Sequence, residues 1–400
     1  MRTADRIKRL GTETAFLVSA EAAEYASKGN KVYPFHLGDL NIRTPENIIE
    51  AAVKAMYDGK TGYCPNAGIM ELRKALSEDI NRSHDTDFDG RNVIIEPGGK
   101  PVIGKFIDAL MNPGDEVLYP NPGYPIYESQ IEFSGGIAVP YAYKEEGNRF
   151  VIDMESMEKA VTDRTKLLIF NDFQNPTGAE ASSEELKAIA EFAISKDLYV
   201  LCDEAYFDVR YSGKSTSLVS MPGMRDRCVV LYTFSKKFAM TGWRLGAAIA
   251  CRQIADIYAK LNTNDESCPN HFIQYGALEG LTGDQSGPRQ ILETLRARRD
   301  KCVELLDNIE GFRCFKPETT FYLFPNVTEA MNNTGLNDYN EFRKVILSST
   351  GVSFCTRLHF CKEQPNEIRK YIRFAYSGID ISEIEEGLGK LKEFIESRSN

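Results

Sequence analysis

Between residues 93 and 251 short apolar runs alternate with helix-like stretches, and no other feature restricts the fold as much. The runs at 93–95, 116–119, 137–141, 165–171, 198–203, 229–233 and 247–251 are rich in β-branched, leucine and aromatic residues, the mark of buried strands. Helical segments at 101–111, through 131, and at 182–195 separate several of them. Strands joined through helices form a mostly parallel sheet with both faces covered. The expectation is an α/β domain on a mostly parallel sheet of the seven-stranded type. Gly, Pro, Asn and Asp crowd the loops that leave these runs, and an open sheet of this kind holds its ligand at the carboxyl ends of its strands.

The flanks read differently. Residues 15–28 form a helix, with Glu24 four residues ahead of Lys28 and Gly29 placed to end it. An extended stretch at 31–38 is followed by helices at 46–58 and 70–82, the first opened by Thr44-Pro45-Glu46. Residues 254–281 are mostly helical and 290–309 form a long charged helix. Strand-like runs at 312–315, 321–324 and 371–376, with helices at 338–348 and 382–397, then make a second, smaller α+β lobe. Four hundred residues exceed what a single core usually serves. The expected division is an N-terminal arm with part of the small domain at 1–45, a large domain at 46–285 and a C-terminal small domain at 286–400.

Composition removes several classes of function. A net charge of −10 opposes general nucleic-acid binding, which needs a basic surface. No apolar run approaches the ~18 residues needed to span a bilayer, and the N-terminal residues lack the apolar core of a signal peptide. Nine cysteines, odd in number and without paired spacing, fit free thiols in a reducing compartment. With no CxxC pair and four histidines there is no zinc motif and no metal is expected. A soluble cytoplasmic protein is expected.

The chemistry sits at the strand ends. Lys236 and Lys237 follow the apolar run 229–233, and Gly242-Trp243-Arg244-Leu245-Gly246 comes next. A Lys-Lys pair is ordinarily an exposed loop pair, but at the mouth of a buried strand desolvation lowers an amine's pKa and fits it to form a Schiff base. Gly98-Gly99-Lys100 stands between a strand and a helix, where backbone N–H groups approach an anion. Asp203 ends a five-residue apolar run, so its carboxylate is partly buried and needs either a cationic partner or a helix-capping role.

In the order Asn175-Pro176-Thr177-Gly178, then Asp203-Glu204-Ala205-Tyr206, then 235–246, these motifs make the chain resemble the class I and II aminotransferases from about Phe35 to its end. That family has the fold type I architecture and uses pyridoxal 5′-phosphate. The resemblance implies that Lys236, eight residues before Arg244, is the Schiff-base lysine and that Lys237 is not. It implies a phosphate cup of Gly99, Lys100, Thr233, Ser235 and Arg244, with Thr233 where serine is more usual. Asp203 would pair with the pyridine nitrogen, Asn175 and Tyr206 with the ring's 3′-oxygen, and Tyr124 would stack on the ring. Tyr63 would reach the phosphate of the other subunit, making a homodimer with shared sites. Arg373 would clamp the substrate α-carboxylate, beside Gly38 and Asn175. The chain departs from the family at Asp39-Leu40-Asn41-Ile42-Arg43, on the substrate side.

The implied reaction moves an amino group from an L-amino acid to a 2-oxo acid by a ping-pong route, with Lys236 as general base. A carbon–sulfur β-lyase or an aminocyclopropane-carboxylate-synthase-like enzyme is the alternative on the same fold. An amino-acid-sensing transcription regulator is disfavoured by the acidic chain and by the short stretch before the first motif. Arg43, Lys105 and Arg357 are candidate partners for a side-chain carboxylate.

Overall fold

Five adjacent parallel strands, flanked on one side by a reversed strand and an edge strand and on the other by a hairpin strand, carry everything that follows. In this computed structural model, which describes residues 2–365 and 367–398, the large sheet is built from β1 (Val93–Glu96), β2 (Glu116–Asn121), β3 (Ile137–Glu146), β4 (Arg149–Ile152), β5 (Thr165–Asn171), β6 (Tyr199–Asp203), β7 (Cys228–Thr233) and β8 (Gly246–Ala250). Met1, Asn366 and residues 399–400, at or within the expected domain limits, lie outside the described residues. The strand order is β1-β8-β7-β6-β5-β2-β3-β4. Pairing is parallel from β7 through β3, and antiparallel where β8 meets β1 and β7 and where β4 meets β3.

Seven of these strands are the ones expected from the sequence. The eighth, β4, returns from β3 through Gly147, whose φ of 61° permits the turn. Alternate residues feed opposite faces. Leu168, Phe170 and Val230 pack under the helices Met70–His84 and Ser183–Ser195, while Leu167, Ile169, Val229 and Leu231 pack under Lys100–Leu110 and Arg252–Asn264. Both faces are therefore apolar, which is why the strands read as continuous hydrophobic runs. Each fully buried Leu, Ile or Val contributes roughly 1.5–3 kcal/mol.

A second core lies against the carboxyl ends of the parallel strands. It holds a three-stranded sheet, Tyr322–Leu323, Ile372–Ala375 and Cys355–Thr356, antiparallel throughout. Helices Ser286–Leu306, Tyr339–Thr350 and Ile381–Arg398 cover it. Tyr33–Pro34 pairs with Val352–Ser353, so the N-terminal stretch joins this second core.

Two expectations are corrected. Residues 312–315 do not form a strand; Arg313 makes a single bridge to Asn326 before Pro317 ends the run. The helical stretch 254–281 is two helices, Arg252–Asn264 and His271–Thr282. They part at Ser267, with φ of 65°, and Asn270 accepts a capping bond from the Ile273 amide. Among the described residues no helix is long and apolar enough to cross a membrane.

Candidate active site

The parallel strands end in a cleft of about 490 Å³ between the two cores. Every residue expected to meet the cofactor or the α-carboxylate, except Tyr63, lines it. At one end β1 gives way to Gly98-Gly99 and the helix Lys100–Leu110 begins, its free N–H groups turned to the cleft. Gly98 has φ of 106°, and a Cβ there would lie 2.3 Å from Arg244 Nη2, so only glycine lets the guanidinium lie on the backbone. Arg244, itself at φ 55°, donates to the Thr241 carbonyl at 2.7 Å. Thr233 closes β7 and its hydroxyl donates to Ser235 Oγ at 2.9 Å, while Ser235 N–H donates back at 3.3 Å. Two hydroxyls, a guanidinium and a helix N-terminus thus surround one small volume. This is a donor set for a dianion.

The floor is made by Asp203, the last residue of β6. Its Oδ2 accepts from Tyr127 at 2.5 Å and its Oδ1 from the Ala205 amide at 3.2 Å. Burial raises this carboxyl to about 6, against the lowering effect of those bonds. Tyr206 shares a 2.7 Å hydrogen bond with Tyr322, and burial pushes its phenol up. Lys236, partly buried, donates to the Gly38 carbonyl at 3.2 Å and lies 5.2 Å from the Phe321 ring centre. Burial lowers its amine to about 8; Asp39 opposes that, and Arg244 and Arg373 reinforce it. Lys237 turns the other way, to Asp208 at 3.4 Å and Asp79 at 3.6 Å, and these carboxylates hold it above the ordinary lysine range despite burial.

Arg373 forms the opposite wall from the second core. It is buried, donates to Asn175 Oδ1 at 3.0 Å and to the His36 carbonyl at 2.8 Å, and stacks between Tyr322 and Phe360. Its Nε has no hydrogen-bond partner among the described residues, so a buried donor is left for an incoming acceptor. Gly38 lies against Tyr322, where a Cβ would come 2.1 Å from the phenol oxygen. The unusual 39–43 loop is tied down rather than loose. Thr241 donates to Asp39 at 2.7 Å, and Asn41 bridges Asp380 and Arg298.

Several lining groups escaped the sequence reading. Tyr127 steadies Asp203, and Tyr322 and Phe360 sandwich Arg373, although nothing in their local sequence separates them from ordinary core aromatics. Glu13, from the N-terminal segment, accepts from Tyr124 Oη and pairs with Lys100 at 2.8 Å. The three candidate cations for a side-chain carboxylate lie elsewhere. Arg43 is exposed beside Glu46, Lys105 is buried with Glu96, Glu266 and Asn262, and Arg357 is buried with Glu367 and Asn121. Tyr63 is 89% exposed and stands outside the cleft. A wider groove at the other end of the sheet is lined by Asp89, Arg91, Arg225 and Asp226, which pair with their own neighbours and converge on nothing.

A mostly parallel sheet with an anion cup, a buried carboxylate and a lysine at its strand ends defines a class, and residues 31–391 match the model of aminotransferase class I and II. The chain belongs to that family. It is 31% identical to the aspartate aminotransferase of Bacillus subtilis over the full length of both chains. Among solved structures it resembles the aspartate aminotransferase from Thermus thermophilus with maleate (29% identity, 98% of this chain and 100% of that one, TM-score 0.89). It also resembles the alanine aminotransferase from Pyrococcus furiosus (28% identity, 99% and 100%, TM-score 0.90). The family's cofactor is pyridoxal 5′-phosphate. The residues present fit it: the Gly98 cradle and its donors suit a phosphate, and the buried Asp203 suits a protonated ring nitrogen.

Proposed function

We propose that this aminotransferase moves an amino group between an L-amino acid and a 2-oxo acid by a ping-pong mechanism in which Lys236 is both the lysine that carries the cofactor and the general base. The observation that supports this most is the contrast within the pair: Lys237 has two carboxylate partners, whereas Lys236 makes no ion pair among the described residues and faces the cleft. The Gly99 and Lys100 backbone, Thr233, Ser235 and Arg244 hold the phosphate. Asp203 keeps the ring nitrogen protonated, Asn175 and Tyr206 bond the 3′-oxygen, and Tyr124 covers the ring face. The bound cofactor supplies an electron sink for the carbanion left when the α-proton departs.

The remaining work belongs to side chains. Arg373 takes the α-carboxylate, its free Nε supplying one bond, and Asn175 and Tyr322 fix the plane of the guanidinium. Lys236, whose amine burial lowers to about 8, has a larger neutral fraction near neutral pH than an ordinary lysine, and in that form it removes the substrate α-proton. The aromatic walls of Tyr206 and Phe321 keep water from that amine. The same reading makes the enzyme a homodimer, with the exposed Tyr63 reaching the partner's phosphate.

An amino-donor screen on the cofactor-loaded enzyme tests the proposal. Conversion of the cofactor to its amine form with release of a new 2-oxo acid supports it. Release of pyruvate and ammonia without the amine form contradicts it. The relatives' names divide between a dicarboxylic donor, aspartate, and a monocarboxylic one, alanine. The choice for this chain rests on the side-chain end of the cleft.

A further inference from the structure

Four cations line the cleft among the described residues: Lys100, Lys236, Arg244 and Arg373. On the reading above, which this inference rests on, Arg244 serves the phosphate, Arg373 the α-carboxylate and Lys236 the proton. Lys100 alone remains for a second carboxylate on the substrate. It is already occupied, because Glu13 lies across the mouth with its carboxylate 2.8 Å from Lys100 Nζ and accepts the Tyr124 hydroxyl. The Glu13 side chain is only 16% exposed, so solvent screens this charge weakly. His359, the remaining basic group on the wall, has its Nδ1 against Thr356 and is held neutral by burial. The other walls here are Phe16, Leu37, Tyr322 and Phe360.

We infer that Glu13 is a specificity-determining residue: it cancels Lys100, bars a second carboxylate, and leaves the pocket to L-amino acids and 2-oxo acids with uncharged, apolar side chains. Like charges brought together in a partly dry site oppose binding strongly. Glu13 bonds neither Arg373 nor Lys236 among the described residues, and because its charge also reaches Lys236, where it raises the amine, the test compares ratios between ligands rather than single rates.

The test compares loaded wild type, Glu13→Gln and Glu13→Gln/Lys100→Gln, with Glu13→Ala as a second variant should the glutamine protein fold poorly. Two readouts are taken. One is kcat/KM for L-alanine, L-norvaline and L-leucine against L-aspartate and L-ornithine. The other is the calorimetric Kd of succinate against butanoate, which needs no turnover. Expected are a preference of at least about 10-fold for the monocarboxylic donors in wild type and a gain of about 10-fold in succinate affinity for Glu13→Gln. Butanoate should shift less than about 2-fold, and the succinate gain should vanish in the double variant. An unchanged succinate-to-butanoate ratio in Glu13→Gln, or a wild-type preference for aspartate or ornithine, overturns the inference. If no donor converts the cofactor, the aminotransferase reading fails, while the succinate arm still decides the role of Glu13.

Discussion

The two ends of the cleft are built in different ways. At the proposed cofactor end the groups sit at strand ends of the large sheet: Gly99 after β1, Asn175 after β5, Asp203 on β6, Thr233 on β7 and Arg244 just before β8. Their positions follow from the hydrogen-bond ladder, and one sheet fixes them all. At the side-chain end the walls come from residues 13–16, 37–39 and 359–360, the last more than three hundred positions from the first two, and they meet only because both cores are formed. On the proposed reading a rigid scaffold sets the chemistry, and spliced segments set the choice of substrate.

The largest effect that would break this contrast concerns the lysines. Lys236→Ala should lower the transamination rate at least about 10³-fold, as loss of a general base does. Lys237→Ala should change it less than about 3-fold, and comparable losses in both variants would contradict the assignment. Arg373→Ala should come next, costing about 10²–10³-fold in kcat/KM because it removes one side of a buried charge-assisted pair. Steady-state kinetics with two donors of different side chain should show the same loss for each, since the α-carboxylate is common to both.

Stability sharpens the comparison further. Leu168, fully buried in the sheet, should cost about 2–5 kcal/mol on change to alanine, measured by urea unfolding. Asp203 should behave in the opposite sense. Its folded-state pKa of about 6 lies above the ordinary value of 3.8, so the native state loses stability as pH rises through that window. Asp203→Asn should therefore stabilise the cofactor-free protein by roughly 2–3 kcal/mol at pH 7 and by nothing near pH 3.5, while weakening the loaded enzyme's activity. Equal effects at both pH values would remove the burial argument. Smallest of all, Phe16→Ala, at an exposed wall position, should raise KM for apolar donors about 2- to 5-fold with little change in kcat.

The strand-end lining of the cleft was legible because its residues lie beside buried strands, and such strands announce themselves by composition. Asp203 and Thr233 each follow an apolar run directly, and Lys236 comes three residues after Thr233. The side-chain end was not legible. Glu13 sits in an unremarkable polar segment, and its meeting with Lys100 and Tyr124 is a tertiary fact. Arg43, Lys105 and Arg357 show the converse: as isolated cations they looked equally suited to a carboxylate, and the fold gives each an internal partner. Strand β4 was missed because four residues behind a Gly-Asn turn give too short a pattern, and the break at Ser267 because helical composition continues across it.

The central claim, that Lys236 and not its neighbour carries the cofactor, is tested most directly by borohydride reduction of the loaded enzyme followed by peptide mapping in a mass spectrometer. The account predicts a single phosphopyridoxyl mass on Lys236, with Lys237 unmodified. A label on Lys237, or no label in protein that retains the cofactor's absorbance, would contradict it.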